Sequence, residues 1–103
     1  MDNGNTPRIL YLVLIAGRDR KDELLTALSG IGCHVINIFY GKGTARTAGL
    51  LEDFVREENK VLITGLVSGK EAEAIFEMLV EDFNFNEKNT GIAYTIPVEK
   101  VAF

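Results

Sequence analysis

The stretch "RILYLVLIA", residues 8–16, is an almost unbroken run of branched and aromatic side chains, and it constrains the fold more than any other feature of the chain. A strand sends successive side chains to opposite faces, so a run that is apolar at every position must be covered on both faces. It falls far short of a membrane span and reads as a buried strand. "CHVINIFY", 33–40, behaves similarly: a period of two puts Cys33, Val35, Asn37 and Phe39 on one face and His34, Ile36, Ile38 and Tyr40 on the other. A third strand is "VLITGLV", 61–67.

Helical signals separate these runs. After Gly17, Asp19 is placed to cap a helix in which Leu24, Leu25, Leu28 and Ile31 share a face, with Gly30 and Gly32 ending it. Ser68 and Glu71 form a capping box ahead of Ala72, Ile75, Phe76, Leu79, Val80 and Phe83, one apolar stripe at helical spacing. "GIAYTIPV" closes the series as a strand whose Pro97 implies an edge, a bulge or the strand's end. The order predicts an α+β, ferredoxin-like βαββαβ fold: a four-stranded antiparallel sheet with two helices on one face. Two helices leave the other face wet and apolar in a monomer, which predicts symmetric self-association.

The chain's 103 residues, 47% apolar and 25% charged, suit one globular domain, 8–103, preceded by a flexible tail at 1–7. A lone Cys33 excludes an intrachain disulfide and a cysteine-rich zinc site, and fits a cytoplasmic location. "MDNGNTPR" has neither the basic start nor the apolar core of a signal peptide. A net charge of −4 argues against nucleic acid as a partner. Yet no acidic residue occurs between Glu23 and Glu52, a window holding His34, Lys42 and Arg46.

Inside that window lies "YGKGTART", 40–47, at the mouth of a long connection spanning about 42–59. Gly41-Lys42-Gly43-Thr44 has the wrong order for a Walker loop. Glycines here serve a turn, and they also let backbone N–H groups approach an anion while Lys42, Arg46 and Thr44 supply charge and donors. Further on, Leu50, Leu51, Phe54 and Val55 recur at helical spacing, as an amphipathic partner-binding segment would. Asn84, Asn86, Asn89 and Gly91 mark a polar loop before the last strand, with Lys88 and Thr90 as a second phosphate-facing lip. Cys33 and His34, as strand neighbours, point to opposite faces and cannot chelate one metal within a subunit. No catalytic set is recognisable, so the chain is read as neither an enzyme nor a metal protein.

"YGKGTA" after the second strand, the long loop, and "NTGIAYTIPVEKV" at the end resemble the PII signal-transduction family over residues 8–102. The resemblance implies a homotrimer that binds adenine nucleotide (ATP, ADP or AMP) or another small anion in clefts between subunits. It also implies a large loop controlling a target protein such as a membrane transporter, with no resident cofactor. By position, Gly41, Lys42, Gly43 and Thr44 form the loop base. Lys88, Asn89, Thr90 and Gly91 form the second nucleotide-facing loop, Gly32 and His34 lie near the base pocket, and Arg46, Leu50, Leu51, Phe54 and Val55 face the partner. The chain departs from the pattern where Ile92 replaces the lysine after the final glycine, where the basic Arg-x-Gly motif is missing before Phe103, and where the loop has no tyrosine. These departures imply a divergent member outside uridylylation control. The alternatives are a ligand-independent interaction module and a trimeric metal-handling protein of similar fold, in which His34 or Cys33 of several subunits would meet.

Overall fold

At the centre of the sheet lies β1, Ile9–Gly17, hydrogen-bonded on one side to β3, Lys60–Ser68, and on the other to β4, Gly91–Pro97. β2, His34–Tyr40, lies outside β3, giving the antiparallel order β2-β3-β1-β4. The structure is a computed structural model that describes residues 9–40, 59–88 and 90–99. The expected tail at 1–7 and all but Asn59 of the expected loop at 42–59 lie outside the described residues. The βαββαβ order and ferredoxin-like class are those the sequence predicts. β1 takes an inner position because it is apolar at every position, whereas β4, with Pro97, is an edge.

The two faces of β1 feed separate cores. Leu10, Leu12, Leu14 and Ala16 meet Val61, Ile63 and Val67 of β3 beneath the helices α1, Lys21–Ile31, and α2, Gly69–Phe83. Leu24 and Leu28 dock α1; Ala72, Ile75, Leu79 and Phe83 dock α2. Each fully buried leucine or isoleucine there contributes about 1.5–3 kcal/mol, more than any surface ion pair on these helices can supply. The capping box of α2 is complete: Glu71 N–H donates to Ser68 Oγ at 3.1 Å, and Ser68 N–H donates to Glu71 Oε1 at 2.8 Å.

Four local expectations are corrected. Asp19 does not cap α1: residues Arg18–Arg20 form a 3₁₀ turn, the N-cap is Arg20 with no side-chain bond, and Asp19 Oδ1 lies where a Gly17 Cβ would come within 2.7 Å. Gly30 sits inside α1, and Gly32 alone ends it, in the left-handed region at φ 113°. Val80 is 43% exposed, so the stripe of α2 overhangs the edge of the sheet.

The fourth correction concerns β2. Its register with β3 shifts between Val35 and Asn37, so the extra residue reverses the alternation. His34, Asn37 and Phe39 therefore oppose Leu66, Thr64 and Leu62 on the face away from the helices, while Val35, Ile38 and Tyr40 oppose Gly65, Ile63 and Val61 on the helix side. The second face is also less wet than expected. Val13, Ile15 and Leu62 are buried, with the large rings of Tyr11, Phe39 and Tyr94 packed against them. Ile9 and Ile96, on the same face at its far end, stay exposed.

Candidate functional site

The residues expected to face a ligand fall into three groups. Gly32 caps α1, donating its N–H to Leu28 O at 3.1 Å and Ser29 O at 3.2 Å, and its positive φ gives it a structural reason to be glycine. A Cβ there would also come within 2.8 Å of Glu71 Oε2. His34 follows as the first residue of β2, exposed on the second face opposite Leu66. The next group is Lys88, exposed in the turn after α2, with Thr90 and Gly91, which lead into β4. Gly91 sits under the Phe85 ring: an added Cβ would lie 2.5 Å from Phe85 Cζ and 2.7 Å from the Ile15 carbonyl oxygen. The third group, Gly41, Lys42, Gly43 and Thr44, lies outside the described residues, as do Asn89, Arg46, Leu50, Leu51, Phe54 and Val55.

Within one chain these groups do not converge. His34 pairs with Leu66 towards one end of the sheet, whereas Gly91 pairs with Ala16 at the other. They also sit on opposite edge strands, β2 and β4, with β3 and β1 between. Three strand spacings are about 14 Å before the offset along the strands is counted. Within one chain the two groups stand on opposite edge strands and towards opposite ends of the sheet.

Sequence reasoning missed two features. Thr64 Oγ1 is buried on the second face with no hydrogen-bond partner among the described residues. Val13 of the apolar cluster lies opposite it on one side and Asn37 on the other, and Thr64, Asn37 and His34 make a polar strip beside that cluster. The bulge of β2 creates that strip, and a bulge leaves no mark in the period of the sequence. The second feature surrounds Tyr40, the last described residue of β2. Arg18 stacks on its ring, with Cζ 4.7 Å from the centroid, and Lys21 Nζ donates to its hydroxyl at 3.0 Å. The bond to Tyr40, with Asp22 Oδ1 3.5 Å away, holds the Lys21 ammonium above its ordinary value.

A cavity of about 370 Å³ lies between α2 and β4, lined by Phe76, Leu79, Val80, Phe85 and residues Gly91, Ile92 and Ala93. Its lining is mostly apolar and includes the predicted Gly91. Cys33 is buried, and burial, with the Glu71 carboxylate adding to it, pushes its thiol up; this protonated thiol is a poor nucleophile and metal ligand. Among the described residues no group of three or more His, Cys, Asp or Glu could hold a metal. No helix among them is long and apolar enough to cross a membrane.

No protein-family model matches the chain, and no curated protein matches it by sequence. Solved structures do match. A PII-like signalling protein from Thermus thermophilus superposes with a TM-score of 0.63 at 19% identity, over 90% of this chain and 87% of that one. CPII from Thiomonas intermedia, bound to ADP and bicarbonate, gives 0.63 at 15% identity, over 88% and 86%. The same protein bound to ADP, AMP and acetate gives 0.58 at 17% identity, over 90% of each chain. Likeness at these identities is a likeness of backbone, and it covers nearly all of both chains: the fold is that of the PII-like signalling proteins.

Proposed function

We propose that the chain is a divergent PII-like regulator that assembles as a homotrimer and binds an adenine nucleotide between subunits. The observation that carries this reading is the separation of Gly32 and His34 from Lys88, Thr90 and Gly91 across the full width of the sheet. Gly32 and His34 stand apart from the cavity that Gly91 lines, and a second copy bringing its β4 end to the β2 edge would join the two. Asn37 extends the polar part of that surface on the β2 side, next to the buried Thr64 hydroxyl, and a buried hydroxyl with no partner gains most from a ligand or neighbour that supplies one. The solved relatives of the same fold include one bound to ADP and bicarbonate and one bound to ADP, AMP and acetate, which supports ADP or AMP as the first ligands to test.

In this reading Gly41, Lys42, Gly43 and Thr44 meet the phosphates, and Lys88 takes the part of the basic residue that Ile92 does not provide. Nucleotide binding shifts the segment 42–59 between presentations of Leu50, Leu51, Phe54 and Val55 to a target such as a membrane transporter. The protein signals by binding and catalyses nothing. The experiment is calorimetry with ATP, ADP and AMP on wild type and Lys42→Ala, paired with a solution mass. Binding by a trimer, weakened in Lys42→Ala, supports the reading; a stable monomer that binds none of the three overturns it.

A further inference from the structure

β4 is small on one face and large on the other. Its register with β1 sets Gly91, Ala93 and Thr95 opposite Ala16, Leu14 and Leu12 beneath the helices, while Ile92, Tyr94 and Ile96 oppose Ile15, Val13 and Tyr11 on the second face. Above the small residues α2 reaches past the sheet: Phe76 is half-buried and Val80 exposed. The cavity of about 370 Å³ is the space left between them. Phe85 forms part of its wall, held there by its backbone N–H, which donates to the Leu79 carbonyl at 3.0 Å. A hollow in a core costs stability, and a larger side chain at position 93 would fill part of this one. The strand keeps alanine there although it carries isoleucine and tyrosine on either side.

We propose that this cavity binds a small amphipathic cation, an apolar body the size of an aromatic ring and a short alkyl chain that carries an ammonium group. The lining fixes the body. Its side chains are hydrocarbon, and its volume lies at the low end of the range for ligand pockets, about 300–1,000 Å³, where about 150 Å³ is enough for benzene. The mouth fixes the head. Glu73 and Glu77 precede Val80 by seven and three residues, which makes them its neighbours on the helix surface on the side away from Leu79, and both are exposed. Among the described residues neither carboxylate is held in an ion pair. A cation at the mouth is attracted by both, and an anion is repelled by both. Each exposed charge contact changes binding by about 2- to 5-fold, so a cation should outbind an anion with the same body by about 5-fold or more. This ligand goes beyond the nucleotide of the proposed function: of the residues named for that site, the cavity includes only Gly91.

The test is an NMR titration of the isotope-labelled full chain with phenylbutylamine, phenylbutanol and phenylbutyrate, on wild type, Ala93→Leu, Ala93→Val and the double variant Glu73→Gln/Glu77→Gln. The amine should move the amide signals of Gly91, Ile92 and Ala93 to saturation and bind about 5-fold or more tightly than the butyrate, with the alcohol between them. Added salt should narrow that preference. Ala93→Leu fills the hollow and should abolish binding without loss of thermal stability; if leucine proves too large for the chain to fold, Ala93→Val should fold and bind more weakly than wild type. The double glutamine variant should keep the body in place and bring the three probes to about equal affinity. Signals that do not move, equal affinity of wild type for amine and butyrate, or full binding by the folded Ala93 variants overturn the inference. So do signals at these residues that follow protein concentration and ignore the amine, which would assign the cavity to a second copy. A wild type that binds the amine here and no ADP fails the proposed function and keeps this site.

Discussion

Replacing Gly91 by alanine puts a methyl group where the structure has no room. Its Cβ would lie 2.5 and 2.6 Å from Cζ and Cε2 of Phe85 and 2.7 Å from the Ile15 carbonyl oxygen, well inside contact distance. The two neighbours differ in what they can give. Phe85 is half-buried and borders the cavity of about 370 Å³, so its ring can swing aside. Ile15 is fully buried in β1 and pairs with Ile92, so its carbonyl moves only if the β1–β4 ladder moves. Overpacking of this kind costs about 1–3 kcal/mol, and the smaller freedom of alanine in the unfolded chain returns about 0.4–1 kcal/mol. The expected net loss is about 1–2 kcal/mol, read as a lower urea midpoint at unchanged slope and fixed protein concentration. In a Phe85→Leu background the ring part of the clash is gone, so the same substitution should cost less. A Gly91→Ala protein as stable as wild type, or a cost equal in both backgrounds, would refute the reasoning and return Gly91 to a role in ligand contact alone.

Ser68→Ala removes the side-chain half of the capping box and should cost about 1 kcal/mol by urea denaturation, with Glu71→Ala costing a similar amount and the pair less than their sum. Thr64→Val exchanges an unpartnered buried hydroxyl for a methyl; a ligand-free protein should lose no stability by thermal melt, while ADP affinity should fall if the hydroxyl meets the ligand. The raised Cys33 thiol means that, as pH climbs through the ordinary thiol range, the unfolded chain deprotonates first. Its contribution to stability is whole below that range and lost above it, so Cys33→Ala should flatten the alkaline limb of the stability profile, and wild-type Cys33 should alkylate more slowly than a free thiol.

What the sequence made legible was whatever depends on neighbours along the chain. Ser68 and Glu71 announce a helix start because both halves of the box lie within one turn, and residues 9–16 announce an inner strand because every position is apolar. What it hid depends on a partner strand or a distant turn. Counting by twos from Cys33 put His34 with Ile38, but the bulge before Asn37 moves His34 to the side of Asn37 and Thr64, and only pairing with β3 reveals it. Asp19 looked like a cap because it precedes a helix, yet the 3₁₀ turn starts first and α1 begins at Lys21 with no side-chain cap. The candidate site was legible as a set of residue types and not as a place. Gly32 and Gly91 each prove to have packing or backbone reasons of their own, and the residues expected to meet phosphate at 41–44 lie outside the described structure. Arg18 and Lys21 drew no notice in the sequence, since nothing local ties them to Tyr40 or Asn59.

The account rests most heavily on a nucleotide site shared between copies of the chain, and one mixing experiment reads it directly. His34→Ala and Lys88→Ala, each altering one of the two separated groups, are refolded together and titrated with ADP beside each parent. A cleft built from the His34 side of one subunit and the Lys88 side of the next predicts that mixed assemblies regain some sites with both residues intact, so tight binding reappears at a fraction of the stoichiometry seen in wild type. Binding in the mixture equal to the average of the two parents, with no tight class, would contradict a shared site.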